Sequence, residues 1–145
     1  MAPAAAVIVP VRSADQMARA YAIRRRVFIE EQRIDADLER DIDDLSAIHV
    51  LALDGEQGVG CGRMVHSHKG AKIGRMAVLP DWRGRGIGRL VLDYLVAAAR
   101  EAGAHRIYLH AQVPVEGFYL KCGFDPIGHV FQEAGIPHRL MELVP

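Results

Sequence analysis

The stretch from Lys72 to Leu92 joins an apolar strand, a glycine-rich loop and an amphipathic helix, and it constrains the fold more than any other part of the chain. The apolar residues 73–79 end at Pro80, and the glycines alternate with other residues before the helix. Glycines let a backbone approach a ligand closely, and the start of a helix presents unpaired N–H groups. Guanidinium groups in the same turn suit phosphate oxygens, so the loop predicts a site for a phosphate or pyrophosphate. The glycines are Gly84, Gly86 and Gly88, and the arginines are Arg83, Arg85 and Arg89.

Two nucleotide-binding patterns fit this loop poorly. A Walker loop requires Lys-Ser or Lys-Thr after its glycines, and neither follows here. A dinucleotide fingerprint requires G-x-G-x-x-G and an acidic residue about twenty positions later. Residues 84–88 instead read G-x-G-x-G, and residues 106–108 are Arg, Ile and Tyr. The remaining alternative is a tight turn that binds nothing and carries solvated arginines.

Two segments resemble signature motifs of the GNAT superfamily, the acetyl-CoA-dependent N-acyltransferases. Arg83–Gly88 fits the pattern R/Q-x-x-G-x-G/A, and Phe118–Phe124 looks like its F-Y-x-K-x-G-F segment. They occur in the order and spacing of that family. Val27–Gln32 and Leu109–Gln112 are also similar to segments of small bacterial members. The resemblance covers nearly the whole chain, so we expect residues 1–145 to form a single N-acetyltransferase domain.

The resemblance also implies where the donor binds. In the family, the strand before the glycine loop and the next strand separate at a bulge, and the pantetheine arm lies in the gap. The N–H of Met76 or Val78 would polarise the thioester carbonyl, and fixed backbone donors of this kind commonly contribute on the order of a few kcal/mol. Gln112 stands where many members have asparagine, which puts its contact with pantetheine in question. The implied cofactor-binding residues are Met76, Ala77, Val78, Arg83, Gly84, Arg85, Gly86, Ile87, Gly88, Arg89 and Gln112.

Three side chains are candidates for acid–base catalysis. Tyr119 matches the tyrosine that protonates the departing CoA thiolate in the family, and core packing is its structural alternative. The motifs assign no base for the amine. His110, at the end of the strand after the loop helix, would face the cleft, and histidine titrates near working pH. Glu31, at the end of the first helix, could act through a water molecule, and a structural role is the alternative for both.

Composition excludes several classes of partner. Acidic and basic residues balance, so no overall field attracts nucleic acid or an anionic membrane. No apolar run approaches the length of a membrane span. Cys61 and Cys122 match neither a metal pattern nor a disulfide framework, so we expect a cytoplasmic protein without a metal. An open sheet leaves exposed edges, and a homodimer would cover them.

Periodic apolar residues predict an α/β (α+β) fold, with a mixed, mostly antiparallel sheet of about six to seven strands and helices on both faces. Ser13 and Gln16 fit the start of a helix that runs to about Glu31. Gly60 and Gly62, inside a strand, predict a bulge or a close backbone approach. The predicted strands cover residues 6–11, 48–53, 59–66, 73–79, 106–111, 124–131 and 138–143, and the predicted helices begin near residues 13, 86 and 115.

Each long helix should bury one apolar stripe. The residues at helical spacing are Met17, Tyr21, Val27 and Phe28 in the first helix, and Ile87, Leu90, Val91, Tyr94, Leu95 and Ala98 in the loop helix.

Residues 33–46, which we call the acidic segment, are rich in Asp and Glu. Clustered like charges predict a solvated loop. The spacing lacks the central glycine and distal glutamate of an EF-hand. The functional alternative is that these acids attract a cationic amine substrate.

These observations predict an enzyme that moves an acetyl group from acetyl-CoA directly to a primary amine of a small molecule or peptide. Backbone N–H groups would polarise the thioester, and Tyr119 would act as general acid. The identity of the amine stays open. The alternatives are a non-catalytic module that binds CoA or acyl-CoA, and a nucleotide-binding regulatory domain.

Overall fold

The computed structural model describes residues 6–145, which form one seven-stranded sheet with helices packed on both faces. Residues 1–5 of the predicted domain lie outside this range. The strands are β1 (Val7–Pro10), β2 (Ile48–Asp54), β3 (Gln57–Ser67), β4 (Gly70–Val78), β5 (Ile107–Gln112), β6 (Phe124–Glu133) and β7 (Ile136–Leu143). The helices are α1 (Ala14–Arg24), α2 (Ala36–Glu39), α3 (Ile87–Glu101) and α4 (Glu116–Lys121), with a π-helical segment at Arg25–Glu31 and short 3₁₀ turns at Ile42–Leu45, Pro80–Trp82 and Val113–Val115.

The sheet has the strand order β1-β2-β3-β4-β5-β7-β6 and confirms the predicted fold class. Its neighbouring strands are antiparallel except for β4 and β5, which are parallel. The parallel pairing runs from Ala71 opposite Ile107 to Ile73 opposite Leu109. Beyond these pairs β4 continues to Val78 and β5 to Gln112, so the two strands separate and leave a cleft between them.

A bulge in β4 lies where this cleft opens. Cys61 pairs with Ala77 and Arg63 pairs with Gly74, so β4 carries one more residue than β3 between the two pairs. Arg75 in the bulge has a φ of 50°, in the left-handed region that non-glycine residues seldom occupy. The bulge predicted from the glycines of β3 is confirmed. The extra residue opposite Gly62 belongs to β4, and β3 has an extra residue of its own, Val59, because Ala52 of β2 pairs with Gly60 and Leu53 with Gly58.

The first helix begins as predicted but does not continue as a single α-helix. Ser13 Oγ accepts a hydrogen bond from Gln16 N at 3.1 Å, and Gln16 Oε1 accepts one from Arg12 N at 2.7 Å. After Arg24 the helix widens into the π-helical segment, which ends at Glu31. Segments of this type are frequent at functional sites. This one ends beside the cleft.

The two long helices cover opposite faces of the sheet. Successive residues of a strand point to opposite sides, so neighbouring strand residues pack with different helices. Leu51 and Cys61 pack with α1, whereas Val50, Ala52 and Val59 pack with α3.

The predicted stripes are only partly correct. In the first helix Val27 and Phe28 are buried, whereas Met17 and Tyr21 are half-buried. In α3 the prediction of Leu90 is wrong, because this side chain is 39% exposed. At about 100° per residue, Leu90 lies far from the centre of the face that packs on the sheet. The buried residues of α3 are Ile87, Val91, Leu92, Leu95 and Ala99.

Gly60 and Gly62 allow α3 to lie directly on β3. A Cβ added at Gly62 would lie 2.8 Å from Val91 Cγ1 and 2.9 Å from Leu95 Cδ1. A Cβ at Gly60 would lie 3.0 Å from Ile87 Cγ2. The predicted close approach is confirmed. It sets the distance between α3 and the sheet, and the first turn of α3 borders the cleft.

We expect Gly62→Ala to destabilise the protein by about 1–3 kcal/mol, because the new methyl group overpacks the contact between β3 and α3. The free energy of unfolding from urea titration measures this effect. Gly117→Ala is the matched control, since a Cβ there meets nothing within 4 Å. A loss of stability equal in both variants would contradict the packing argument.

Candidate active site

A cavity of roughly 890 Å³ occupies the cleft between the separated ends of β4 and β5. The glycine loop and α4 border one side, and the π-helical segment and acidic segment border the other. Of the residues that the sequence predicts for the site, all except Arg85 line this cavity. Those that line it are Glu31, Met76, Ala77, Val78, Arg83, Gly84, Gly86, Ile87, Gly88, Arg89, His110, Gln112 and Tyr119.

The glycine loop has the backbone conformation that its composition indicates. Gly84 and Gly86 have φ angles of 77° and 82°, and Gly86 immediately precedes the first turn of α3. A Cβ at either position would meet nothing within 4 Å, so the backbone surface is open. The guanidinium of Arg85 lies 4.7 Å from the ring of Trp82, and Arg89 pairs with Asp93 one turn further along α3.

Arg83 and Glu31 form a bidentate ion pair at one end of the cavity. Nη1 and Nη2 of Arg83 each lie 2.8 Å from an oxygen of Glu31, and Nε donates to Val78 O at 3.0 Å. The hydrogen bonds from Arg83 hold the pKa of the Glu31 carboxyl below its usual value. The Arg83 side chain therefore links the end of β4 to the end of the π-helical segment.

Gln112 makes a second link across the cavity. Its Nε2 donates to Gln32 Oε1 at 2.8 Å, which connects the end of β5 to the residue after the π-helical segment. The side chain that the family resemblance places near pantetheine is thus already hydrogen-bonded within the chain.

Tyr119 lies on α4 with its hydroxyl beside the bulge of β4. Its Oη is 3.9 Å from Met76 Sδ, and its ring packs edge-to-face against Phe118 and Phe124. Burial raises the pKa of Tyr119 to about 12. The phenol is therefore protonated throughout the physiological range and can donate a proton.

His110 belongs to a cluster with Glu133 and His138 that the sequence did not reveal. Its Nδ1 lies 2.9 Å from Glu133 Oε1, and His138 Nε2 lies 3.6 Å from Glu133 Oε2. The hydrogen bond with His110 is the main cause that lowers the pKa of Glu133 to about 2. An ionised carboxylate only accepts, so His110 Nδ1 is the donor in this hydrogen bond and Nε2 is the nitrogen that Glu133 leaves free.

Beside the cavity six side chains form what we call the charge ring, in which arginines and carboxylates alternate. Arg24 binds Glu39 at 2.7 Å and Asp44 at 2.8 Å. Arg63 binds Asp44 at 2.8 Å and Asp41 at 2.6 Å, and Arg75 closes the ring at 3.2 Å from Asp41 and 3.3 Å from Glu39. The ring consists of Arg24, Glu39, Arg75, Asp41, Arg63 and Asp44.

The prediction that the acidic segment is a solvated loop is wrong for Glu39 and Asp44, whereas Asp41 stays exposed although it is ion-paired. The side chains of Glu39 and Asp44 are 2% and 4% exposed, and both bind guanidinium groups in the charge ring. Asp41 binds Arg63 and Arg75. The segment folds into α2 and a 3₁₀ turn, because the arginines neutralise the repulsion on which the solvated-loop prediction rested.

The sequence contains signals for two residues of the charge ring that we did not predict. Arg24 follows Ala20 by four positions and precedes Val27 by three, so helical spacing places it on the buried stripe. Arg63 interrupts an otherwise uncharged strand pattern, residues 59–65. Glu133 offered no local signal, because its contact with His110 depends on the pairing of β5 with β7 and of β7 with β6.

Comparison with known proteins shows the family of this chain. Residues 9–145 match the family model of the acetyltransferase (GNAT) domain. The chain belongs to the GNAT acetyltransferase family. As a GNAT protein it is an acyltransferase, and membership supports acyl transfer from acetyl-CoA.

Relatives of this GNAT chain match over most of their length. YjcF of Bacillus subtilis (strain 168), an uncharacterized N-acetyltransferase, is 34% identical over 131 residues, which cover 90% of this chain and 94% of that protein. The uncharacterized protein YyaT of the same strain is 38% identical over 125 residues, 84% of each chain. The crystal structure of Escherichia coli ElaA has a TM-score of 0.84 at 26% identity and covers 96% of this chain and 99% of its own.

Residues 6–145 lack two features. No helix in this range is long and apolar enough to cross a membrane. No group of His, Cys, Asp and Glu side chains in the same range has the arrangement of a metal site.

We expect the charge ring to make the fold sensitive to acid. Burial alone raises the pKa of the Asp44 carboxyl, but hydrogen bonds and charge from Arg24 and Arg63 lower it well below its usual value. A hydrogen bond from Arg63 likewise lowers the pKa of Asp41. Groups with a lowered folded pKa stabilise the protein above an unfolded pKa of about 3.9. This stability is lost as the pH falls from there through the folded values.

Asp44→Asn tests this assignment. We expect a loss of about 3–5 kcal/mol at neutral pH, because the change leaves Arg24 and Arg63 with an incomplete set of partners. The free energy of unfolding should also depend less on pH below about 4 than in the unmodified protein. Asp43→Asn, at the exposed neighbouring position, is the control and should change neither quantity. An unchanged acid profile in Asp44→Asn would contradict the role of the ring.

Proposed function

We propose that residues 1–145 form one N-acetyltransferase domain that transfers an acetyl group from acetyl-CoA directly to a primary amine. One observation carries the proposal. The bulge of β4, the open glycine loop, Tyr119 and His110 line a single cavity at the point where β4 and β5 separate. These elements come from distant parts of the sequence, and a purely structural loop does not require them to meet.

The residues around the cavity suit the donor. The glycine loop and the first turn of α3 present backbone N–H groups in an open conformation, as an anion-binding helix start requires. We assign pyrophosphate binding to the backbone of Gly84–Gly88, with Arg89 beside it. Arg83 contributes by fixing the end of β4, since its guanidinium is committed to Glu31 and Val78. Acetyl-CoA supplies an activated thioester, and the backbone of the bulge, at Met76–Val78, polarises its carbonyl.

The proton transfers are assigned to Tyr119 and His110. Tyr119 is held protonated beside Met76 and donates a proton to the leaving sulfur. His110 Nε2 accepts a proton from the amine, while Glu133 holds the opposite nitrogen. Glu31 is the poorer base, because its bidentate pair with Arg83 stabilises the ionised carboxylate.

We expect Tyr119→Phe to lower kcat by about 100-fold or more, because the leaving thiolate loses its proton donor. The affinity for acetyl-CoA should stay within roughly twofold of the original, since the acid acts on the transition state. Thiol release measures kcat, and the shift of Tm by acetyl-CoA measures affinity. Tyr94→Phe, a half-buried tyrosine of α3 outside the cavity lining, is the matched control. An unchanged kcat in Tyr119→Phe sinks the acid assignment.

We expect His110→Gln to reduce kcat/KM by about 100-fold at pH 7. The loss should shrink as the pH approaches the pKa of the acceptor amine, since more amine then arrives already deprotonated. His129→Gln, at an exposed position of β6, is the control and should follow the original pH profile. A reduction that stays constant from pH 7 to pH 10 would assign His110 to structure instead of proton transfer.

Ligand-induced stabilisation distinguishes the proposed enzyme from the two alternative functions. Stabilisation by acetyl-CoA and CoA, without thiol release across a broad panel of primary amines, would favour a non-catalytic acyl-CoA-binding module. Stabilisation by ATP or NAD but not by CoA would favour a nucleotide-binding domain.

A further inference from the structure

The carboxylates that line the cavity are all engaged by side chains of the described chain. Both oxygens of Glu31 accept from Arg83 at 2.8 Å. Glu39 is held between two arginines of the charge ring. Glu133 contacts His110, the proposed base, and His138. A second cationic group that lies away from His110 therefore meets carboxylates that are already paired with arginines.

The acidic segment adds no free charge to the cavity. Asp41 and Asp44 belong to the charge ring and do not line the cavity. Asp35 accepts a hydrogen bond from Asp37 N, and neither residue belongs to the lining. The hypothesis that this segment attracts a cationic substrate therefore lacks a free carboxylate at the place where the amine would bind.

Apolar side chains also line this cavity. They come from the π-helical segment, the start of the acidic segment, and the strands β4 and β5. Leu38 is 57% exposed at the cavity, a large apolar surface that a bound ligand would cover. The apolar residues are Val27, Phe28, Ile34, Leu38, Ile73 and Leu109.

We propose that the acceptor is a primary monoamine with an apolar body, and that polycationic amines are poor acceptors. This inference rests on the proposed acetyl transfer and names the substrate class of the same site. The reacting amine loses its charge before attack, whereas a second ammonium group stays charged. Burial of a charge without a partner is costly, and an apolar wall supplies none. A hydrocarbon body instead gains free energy from the same wall.

A pair of amines of equal chain length tests the proposal. n-Hexylamine and 1,6-diaminohexane differ in one terminal ammonium group. In the CoA-bound protein we expect n-hexylamine to bind about tenfold more tightly, a difference of 1.4 kcal/mol. With acetyl-CoA, kcat/KM per amino group should differ by at least about tenfold in the same direction. Calorimetry measures binding and thiol release measures turnover.

Binding of the two amines to the CoA complex decides the acceptor class. Equal or tighter binding of the diamine overturns it, and so does the failure of n-hexylamine to bind the CoA complex. Selective binding of n-hexylamine without thiol release supports the acceptor class, whereas acetyl transfer itself would then fail as the function. The binding experiment thus separates the two proposals.

A substitution at the cavity supplies the second test. Leu38→Asp places an unpaired carboxylate on the apolar wall, so we expect the preference for n-hexylamine over the diamine to fall by about tenfold. Leu45→Asp is the matched control, because Leu45 lies in the same segment, is 88% exposed and does not line the cavity. The control should keep the original preference. An unchanged preference in Leu38→Asp would overturn the charge argument.

Discussion

The charge ring is the interaction on which the arrangement of the site depends. It joins Arg24 of α1, the acidic segment and two strands through alternating charges, and most of its members are buried. Buried charges are tolerated only when each is paired and hydrogen-bonded, so the members hold one another in place. Arg75 belongs both to this ring and to the bulge of β4, and its guanidinium also donates to Glu39 O and Leu38 O. The ring therefore fixes the bulge relative to the wall on which we place the acceptor.

The separation of β4 from β5 opens the cleft. We assign the choice of the acceptor amine to the side chains that line it. The glycine loop and the bulge belong to the first part of the sheet, whereas His110 and Glu133 belong to the last three strands. The residues that we assign to the donor and to the acceptor thus come from different parts of the sequence. They meet because the end of the π-helical segment contacts both sides of the cleft. Glu31 binds Arg83 near the end of β4, and Gln32 accepts a hydrogen bond from Gln112 at the end of β5.

Local patterns predicted the features that depend on neighbours in sequence. The cap at Ser13, the turn at Gly86 and the positions of the strands along the chain were readable because each follows from spacing or from glycine conformation. The charge ring was not readable, because its pairs join residues 15 to 36 positions apart. A count of like charges along the acidic segment even predicted the opposite, since the compensating arginines lie on other elements. Glu133 was missed for the same reason, as only the register of β6 and β7 brings it to His110.

The parallel pairing of β4 with β5 divides the sheet into two parts. The four strands β1–β4 and the three strands β5–β7 meet along the pairs from Ala71–Ile107 to Ile73–Leu109. At the open end of the cleft, Gln112 of β5 donates one amide hydrogen bond to Gln32, the residue after the π-helical segment. Backbone pairing therefore closes one end of the gap, and a side-chain hydrogen bond spans the other. One hydrophobic cluster, which includes Ile73 of β4 and Leu109 of β5, packs across the junction and joins the two parts of the sheet.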